Sequence, residues 1–154
     1  MIRRGRLRID PSWDQESIDL PVRFNEVDSM NVVWHGHYVA YCECAREAFM
    51  AGRGLSYRAM DDHDTPAPIA RMVLDYLHPA RGGEVLTAIC AHRPGGEPKL
   101  ELVYEIRNPA GRLLCVAESL QVFIDGEGQV FMSAPPMVEA FFAETARRRA
   151  ERAP

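Results

Sequence analysis

The sequence predicts an α+β fold: one antiparallel sheet with a long helix laid against it. Three observations carry that expectation. Several stretches alternate apolar and polar residues with a period of two, the pattern of strands with one buried face. Short Gly/Pro/Asn turns join the later strands, which implies hairpins and antiparallel pairing. One early stretch instead spaces its apolar residues for a single helical face.

The elements follow in order. In "SIDLPVRF" (17–24), Ile18, Leu20, Val22 and Phe24 share a face and form the first strand. A loop over 25–35 leads to a helix over 36–53, with Val39, Cys42, Ala45, Ala48 and Phe49 along one side. It ends at Gly52 or Gly54, where glycine tolerates a left-handed cap. "GLSYRAMDDHDTPAP" is a polar loop with room for a short helix. A second strand carries Met72, Leu74 and Tyr76 on one face, and "GGEVLTAICAHR" is the third. After "RPGGEP", a fourth points Leu100, Leu102, Tyr104 and Ile106 inward. After "NPAG", a fifth has Leu114, Val116, Leu120, Val122 and Ile124 in phase. Pro135-Pro136 opens a short terminal helix.

A chain of 154 residues suits one domain, which buries roughly 68–70% of its unfolded surface. The domain is expected over 16–142, with a flexible arm over 1–15 and a helical tail over 143–154. Charged residues at 26% and hydrophobic ones at 47% are ordinary for a soluble protein. The net charge of −4 lacks the basic excess of a nucleic-acid binder. No apolar run is long enough for a membrane span, and the basic start "MIRRGRLRIDPSW" has no apolar stretch of the secretory kind. Cys42, Cys44, Cys90 and Cys115 form no CxxC, so reduced thiols in a cytoplasmic protein are expected. There is no phosphate-binding glycine loop, and no cofactor is expected.

The chemistry concentrates in "DSMNVVWHGHYVAYCECARE". An acid, Asp28, and the pair His35-Gly36-His37 flank the apolar Met30, Val32, Val33 and Trp34, just before the long helix. Metal ligation by Asp28, His35, His37 and His63 is one reading. It is the weaker one, since an HxH pair converges on an ion mainly from a strand. A plain turn started by Asp-Ser is another, and a catalytic carboxylate a third.

Together, "VRFNEVDSMNVVWHGHYVAYCECARE", "GLSYRAM" and "LDYLHPARGGEVL" resemble the hotdog-fold thioesterases. The closest branch is that of 4-hydroxybenzoyl-CoA thioesterase and the Tol-Pal-associated acyl-CoA thioesterases, and the likeness covers about residues 18–136. It implies a sheet of about five strands wrapped around one long central helix. It also implies a homodimer joined sheet edge to sheet edge, or a homotetramer, with the active site at the dimer interface. The implied substrate is a coenzyme A thioester or an acyl carrier protein thioester.

By that resemblance Asp28 acts as general base or nucleophile. The backbone amides of His35, Gly36 or His37, at the positive end of the helix, meet the oxyanion. Met30, Val33 and Trp34 line the acyl pocket or belong to the core. His37 is a first-turn residue, and Tyr38 is a phenol donor or an interior aromatic. Arg53, Arg58, Arg71 and Arg81 are candidates for the CoA phosphates. The basic ends, Arg3, Arg4, Arg6, Arg8 and Arg147 to Arg149, would suit an acidic carrier protein or are solvated tails. Glu43 and Arg46 are expected to pair structurally. One departure stands out: Phe24 occupies a position where some relatives carry a tyrosine. The rival readings are a hotdog dehydratase or hydratase, and a non-catalytic acyl-thioester-binding protein.

Overall fold

The structure is a computed structural model that describes residues 7–153. Arg3, Arg4 and Arg6 lie outside those residues. The elements run β1 (Gln15–Pro21), a 3₁₀ turn (Phe24–Glu26), α1 (His37–Ala51), α2 (Tyr57–Asp62), β2 (Ile69–Tyr76), β3 (Val85–His92), β4 (Leu100–Arg107), β5 (Leu113–Gln121) and α3 (Pro136–Arg152). The five strands form one antiparallel sheet in the order β1-β3-β4-β5-β2. Local hairpins place β3, β4 and β5 side by side. The β4–β5 turn closes through Asn108, whose side-chain oxygen accepts from the Arg112 N–H at 2.9 Å. Gly111 takes φ 79° there, where a side chain would be strained. β1 and β2 are the two free edges.

The α+β expectation and the five strands hold. α1 crosses the sheet over β1, β3 and β4. It buries Cys42, Ala45, Phe49 and Met50 against Leu100, Leu102, Tyr104 and Ile106 of β4. Gly36 and Gly52 cap it, close to the expected bounds.

Four expectations are corrected. First, the helix is not single. α3 spans 17 residues against 15 for α1, and Phe141 packs edge-on to Phe49 at 6.2 Å between ring centres. Residues 136–152 form one continuous helix. Second, β1 stops at Pro21, and Phe24 is 96% exposed rather than inward. Third, the phase of β5 is opposite to that expected. Its ladder pairs Cys115 with Ile106, Ala117 with Tyr104 and Ser119 with Leu102, so these small residues face the helix side. The hydrophobic alternation misleads because the other face is covered too: Val103 and Val116 are both buried there.

The fourth correction concerns the arm, and it supplies part of that cover. The Ile9 N–H donates to Glu105 Oε1 at 3.0 Å. Asp14 is buried and bound by Arg53, so residues 9–15 are tied to the fold. None of the helices among the described residues is long and apolar enough to cross a membrane.

Candidate active site

The segment between β1 and α1 is a folded loop rather than a slack connection. Val27 bridges to Val33, and the Asp28 N–H donates to the Val32 carbonyl at 2.8 Å. Asn31 turns the chain at φ 59°, a conformation asparagine tolerates better than most residues. Asp28 Oδ1 accepts from the Met30 N–H at 2.8 Å and the Val32 N–H at 3.3 Å. This is the turn chemistry that Asp-Ser suggests. It occupies one carboxylate oxygen. Oδ2 has no partner among the described residues, and the side chain is exposed. Asp28 therefore combines a structural oxygen with a free one.

The loop is docked at both ends. Glu26, which sequence reasoning passed over, accepts from the Arg23 N–H and from the Tyr41 phenol, each at 2.8 Å, and its carbonyl accepts from the Trp34 N–H at 2.9 Å. Burial and the Glu26 carboxylate push the Tyr41 phenol well up, so it stays a donor. On the other side the Val33 N–H donates to the Ala80 carbonyl at 2.9 Å, and Val32 bridges to Arg81. This contact brings the segment before β3 against the Asp28 loop. Gly82 belongs to it, since a methyl there would stand 2.4 Å from Asn31 Oδ1.

At the start of α1 the cap residue Gly36 has helical angles, φ −67° and ψ −25°, so its glycine identity is not a backbone requirement. The reason is space: an added Cβ would lie 2.1 Å from Cζ3 of Trp34. The backbone N–H groups of His35 and Gly36 meet no acceptor among the described residues. The His35 carbonyl accepts from the Tyr76 phenol at 2.9 Å. A groove of about 280 Å³ opens beside them, lined by Val33, His35, Tyr38, Tyr76, Leu77, His78 and Pro79.

The other sequence candidates separate. Met30 is exposed, Trp34 is half-exposed, and Val33 is buried in the core. His37 stacks edge-on to Trp34 at 5.5 Å. Tyr38 is buried, and its phenol oxygen accepts from the Ala80 N–H at 2.9 Å. Arg81 stands beside the loop with its side chain exposed, whereas Arg71 pairs with Glu118 at 3.1 Å. Arg71 is five residues from Tyr76, about 17 Å along β2 at roughly 3.3 Å per residue. Arg58 is exposed near Asp62. Arg53 is corrected outright: only 6% exposed, it binds Asp14 through Nε at 2.6 Å and Nη2 at 2.7 Å and has no face for a phosphate. His63 ends α2 with Nδ1 2.8 Å from the Ala59 carbonyl. No cluster of three potential metal ligands occurs among the described residues.

A larger cavity, about 400 Å³, lies past the middle of α1, with Arg46, Tyr57, Met60, Pro66, Ala67 and Ile124 in its wall. The expected Glu43–Arg46 pair is there, with Arg46 Nε donating to Glu43 Oε2 at 2.9 Å. Tyr57 joins it through both residues. Burial opposes ionisation of Glu43, but the Arg46 and Tyr57 hydrogen bonds outweigh it and hold the carboxyl below its ordinary range. Burial, together with Glu43, pushes the Tyr57 phenol up to about 12. The unit is a satisfied ion pair, and none of its residues belongs to the Asp28 loop.

Comparison with known proteins places the chain in a family. The thioesterase-like superfamily profile matches residues 22–142. YneP of Bacillus subtilis (strain 168), a protein named for acyl-CoA thioesterase activity, is 28% identical over 109 residues, covering 71% of this chain and 79% of YneP. Slr0204 of Synechocystis, a 1,4-dihydroxy-2-naphthoyl-CoA thioesterase, superposes with a TM-score of 0.77 at 19% identity, over 86% of this chain and 98% of its own. SAV2348 of Staphylococcus aureus, solved in complex with CoA, superposes with a TM-score of 0.79 at 15% identity, over 88% and 86%. These structures share the hotdog-like fold of sheet and packed helix described above. The chain belongs to the thioesterase-like superfamily, and the reaction class that membership carries is thioester hydrolysis.

Proposed function

We propose that the protein hydrolyses an acyl-CoA thioester, with Asp28 as its reactive carboxylate and the amides at the start of α1 as oxyanion donors. One observation carries the reading. A single folded loop holds an exposed carboxylate with a free oxygen and, seven residues on, two backbone N–H groups without acceptors. Thioester hydrolysis needs those two functions: a base or nucleophile, and donors where negative charge develops.

In the base route Asp28 Oδ2 takes a proton from water, and the oxygen attacks the thioester carbon. The carbonyl oxygen becomes an oxyanion against the His35 and Gly36 amides, and the C–S bond then breaks, releasing CoA thiolate. In the nucleophile route Oδ2 attacks the thioester carbon and expels CoA thiolate, and water then attacks the aspartyl carbon of the resulting anhydride, releasing the acid. A single turnover in ¹⁸O-water separates them, since only the nucleophile route labels Asp28.

Coenzyme A is the favoured thiol carrier, because YneP and Slr0204 are both named for CoA thioesters. Arg81, exposed beside the loop, is the arginine best placed for a CoA phosphate. A homodimer through the free β2 edge fits the exposure of Ile69, Val73 and Tyr76 along it. The cytoplasm, where thiols stay reduced, is the compartment this reading favours.

The test is thiol release from a panel of acyl-CoAs by wild type, Asp28→Asn and Asp28→Ala. Asn keeps an oxygen to accept from Met30 and Val32, so the turn survives without the charge. Its activity should fall about 10²–10⁴-fold with little change in stability. Ala loses both functions and should also cost about 1–2 kcal/mol of stability. A folded Asp28→Asn with full activity would refute the mechanism. Inactivity of wild type on every CoA and carrier-protein thioester would refute the function.

A further inference from the structure

We propose that Tyr76 is a positioning residue for this hydrolysis: by donating its phenol proton to the His35 carbonyl, it aims and polarises the Gly36 N–H as the oxyanion donor. The inference rests on the reading of the α1 start as the oxyanion site.

The peptide joining His35 to Gly36 contains both groups. Its carbonyl accepts from Tyr76 at 2.9 Å, and its N–H meets no acceptor. A trans peptide is planar, with C=O and N–H pointing in opposite directions. Whatever holds the oxygen therefore sets where the hydrogen points. Little else holds this peptide. Gly36 is the cap residue, has no side chain to fasten it, and receives no side-chain capping bond. The adjacent turn bond, from the His37 N–H to the Trp34 carbonyl at 3.0 Å, restrains the loop but leaves the plane between His35 and Gly36 free to tilt.

Tyr76 suits the task by its own placement. It is the last residue of β2, so it is carried by the sheet rather than by the loop it restrains. Its ring stands edge-on to Tyr38 at 5.3 Å and to His35 at 6.4 Å. Tyr38 is itself fixed by the Ala80 N–H. The tyrosine is partly exposed, yet its hydroxyl is committed to the one carbonyl that backs the catalytic amide. Partial burial raises the phenol further above neutrality, so it remains a donor across the working pH range. A carbonyl that accepts a hydrogen bond makes its own N–H a stronger donor. Such cooperativity is worth about 10–30% of the downstream bond. Applied to a donor that contributes about 10²–10³ in turnover, with some loss of aim, it predicts a three- to tenfold effect, on the order set by those ranges.

The experiment compares wild type with Tyr76→Phe, which deletes only the hydroxyl. The expected result is a fall in kcat of about three- to tenfold, with KM changed less than about twofold. A purely structural role would not move the second readout, the infrared carbonyl band of a ¹³C-labelled acyl-CoA bound to the slow Asp28→Asn variant. Binding should lower its frequency, and adding Tyr76→Phe should return part of that shift. A third arm replaces Tyr76 with 3-fluorotyrosine, assayed below the pKa of its phenol. A stronger donor should move the band further down.

Unchanged kcat in Tyr76→Phe, or an unmoved band in either substituted protein, overturns the proposal. So does a lower melting temperature accompanied by an unmoved band. Failure of the parent reading looks different: wild type then shows no thioester turnover, or Asp28→Asn retains it.

Discussion

The ion pair between Asp14 and Arg53 allows a prediction whose size and direction both follow from the contacts. Arg53 is buried and receives Asp14 in a two-pronged grip, Nε to Oδ2 at 2.6 Å and Nη2 to Oδ1 at 2.7 Å. Its remaining hydrogens go to the carbonyls of Phe49 at 3.0 Å and Gln15 at 3.2 Å, and to Glu16 at 3.2 Å. The guanidinium also lies 4.0 Å from the centre of the Phe49 ring. The Asp14 carboxylate, by contrast, is met only by Arg53 among the described side chains. The two deletions are therefore unequal. Asp14→Ala leaves the cation with Glu16 and two carbonyls, whereas Arg53→Met leaves a buried carboxylate with nothing.

Breaking a buried pair from one side costs about 3–5 kcal/mol, so Asp14→Ala belongs at the lower end and Arg53→Met at the upper. At about 2–4 °C per kcal/mol for this chain length, melting temperatures should fall by roughly 6–12 °C and 10–20 °C. The double variant Asp14→Leu/Arg53→Met should be more stable than Arg53→Met alone, because no charge is then stranded. Urea and thermal unfolding followed by circular dichroism measure all three, and acyl-CoA turnover per folded molecule should stay near wild type. Equal losses for the two single variants, or a double variant worse than either, would refute the accounting. So would selective loss of turnover in a folded Arg53→Met, since that would return Arg53 to the substrate.

Three further outcomes are expected. Gly36→Ala should fold, because its backbone angles suit alanine and the half-exposed Trp34 can swing out. Its methyl, 2.1 Å from that ring, should move the indole across the amide and lower kcat/KM by about tenfold or more. Burial pushes the His92 imidazole down from its ordinary 6.5, and its Nε2 has no hydrogen-bond partner. The unfolded chain therefore binds the extra proton first, so stability is complete above about pH 6.5 and falls as pH drops below it; His92→Phe should flatten that slope in pH-dependent melts. Finally, Cys44 is exposed while Cys42, Cys90 and Cys115 are buried, and burial drives all three thiols up, Cys115 to about 12. A disulfide reagent should titrate Cys44 alone in the native protein and all four after unfolding.

What the sequence disclosed and what it hid divide along physical lines. α1 was legible because a helix declares itself locally: Cys42, Ala45 and Phe49 of the expected stripe and the glycines at 36 and 52 lie within one segment, although Val39, expected with them, is exposed. β4 was legible because Leu100, Leu102, Tyr104 and Ile106 alternate with Glu101, Glu105 and Arg107, broken only by Val103. β5 defeats the same reasoning. Leu114, Val116 and Leu120 look like the inward set, but the ladder sets Cys115, Ala117 and Ser119 opposite the inward residues of β4, and Val116 turns to the other, covered face. Periodicity reports that a strand has two kinds of face; it does not report which face meets the helix when both are buried.

The site divides similarly. Asp28 and the amides after it lie within one continuous stretch, and the family pattern marks them there. The groups that hold that stretch do not: Tyr76 is 41 residues from His35, and Ala80 is 42 from Tyr38. The same is true of Arg53, 39 residues from Asp14, whose apparent availability for phosphate disappears once that partner is known. The proposed reacting groups read as a local motif because their spacing is short. The hydrogen bonds that hold that stretch come from β2 and the β2–β3 connection, whose identity as neighbours exists only after the chain has folded. Residues such as Tyr76, which reach that stretch only through the fold, thus escape a reading by motif.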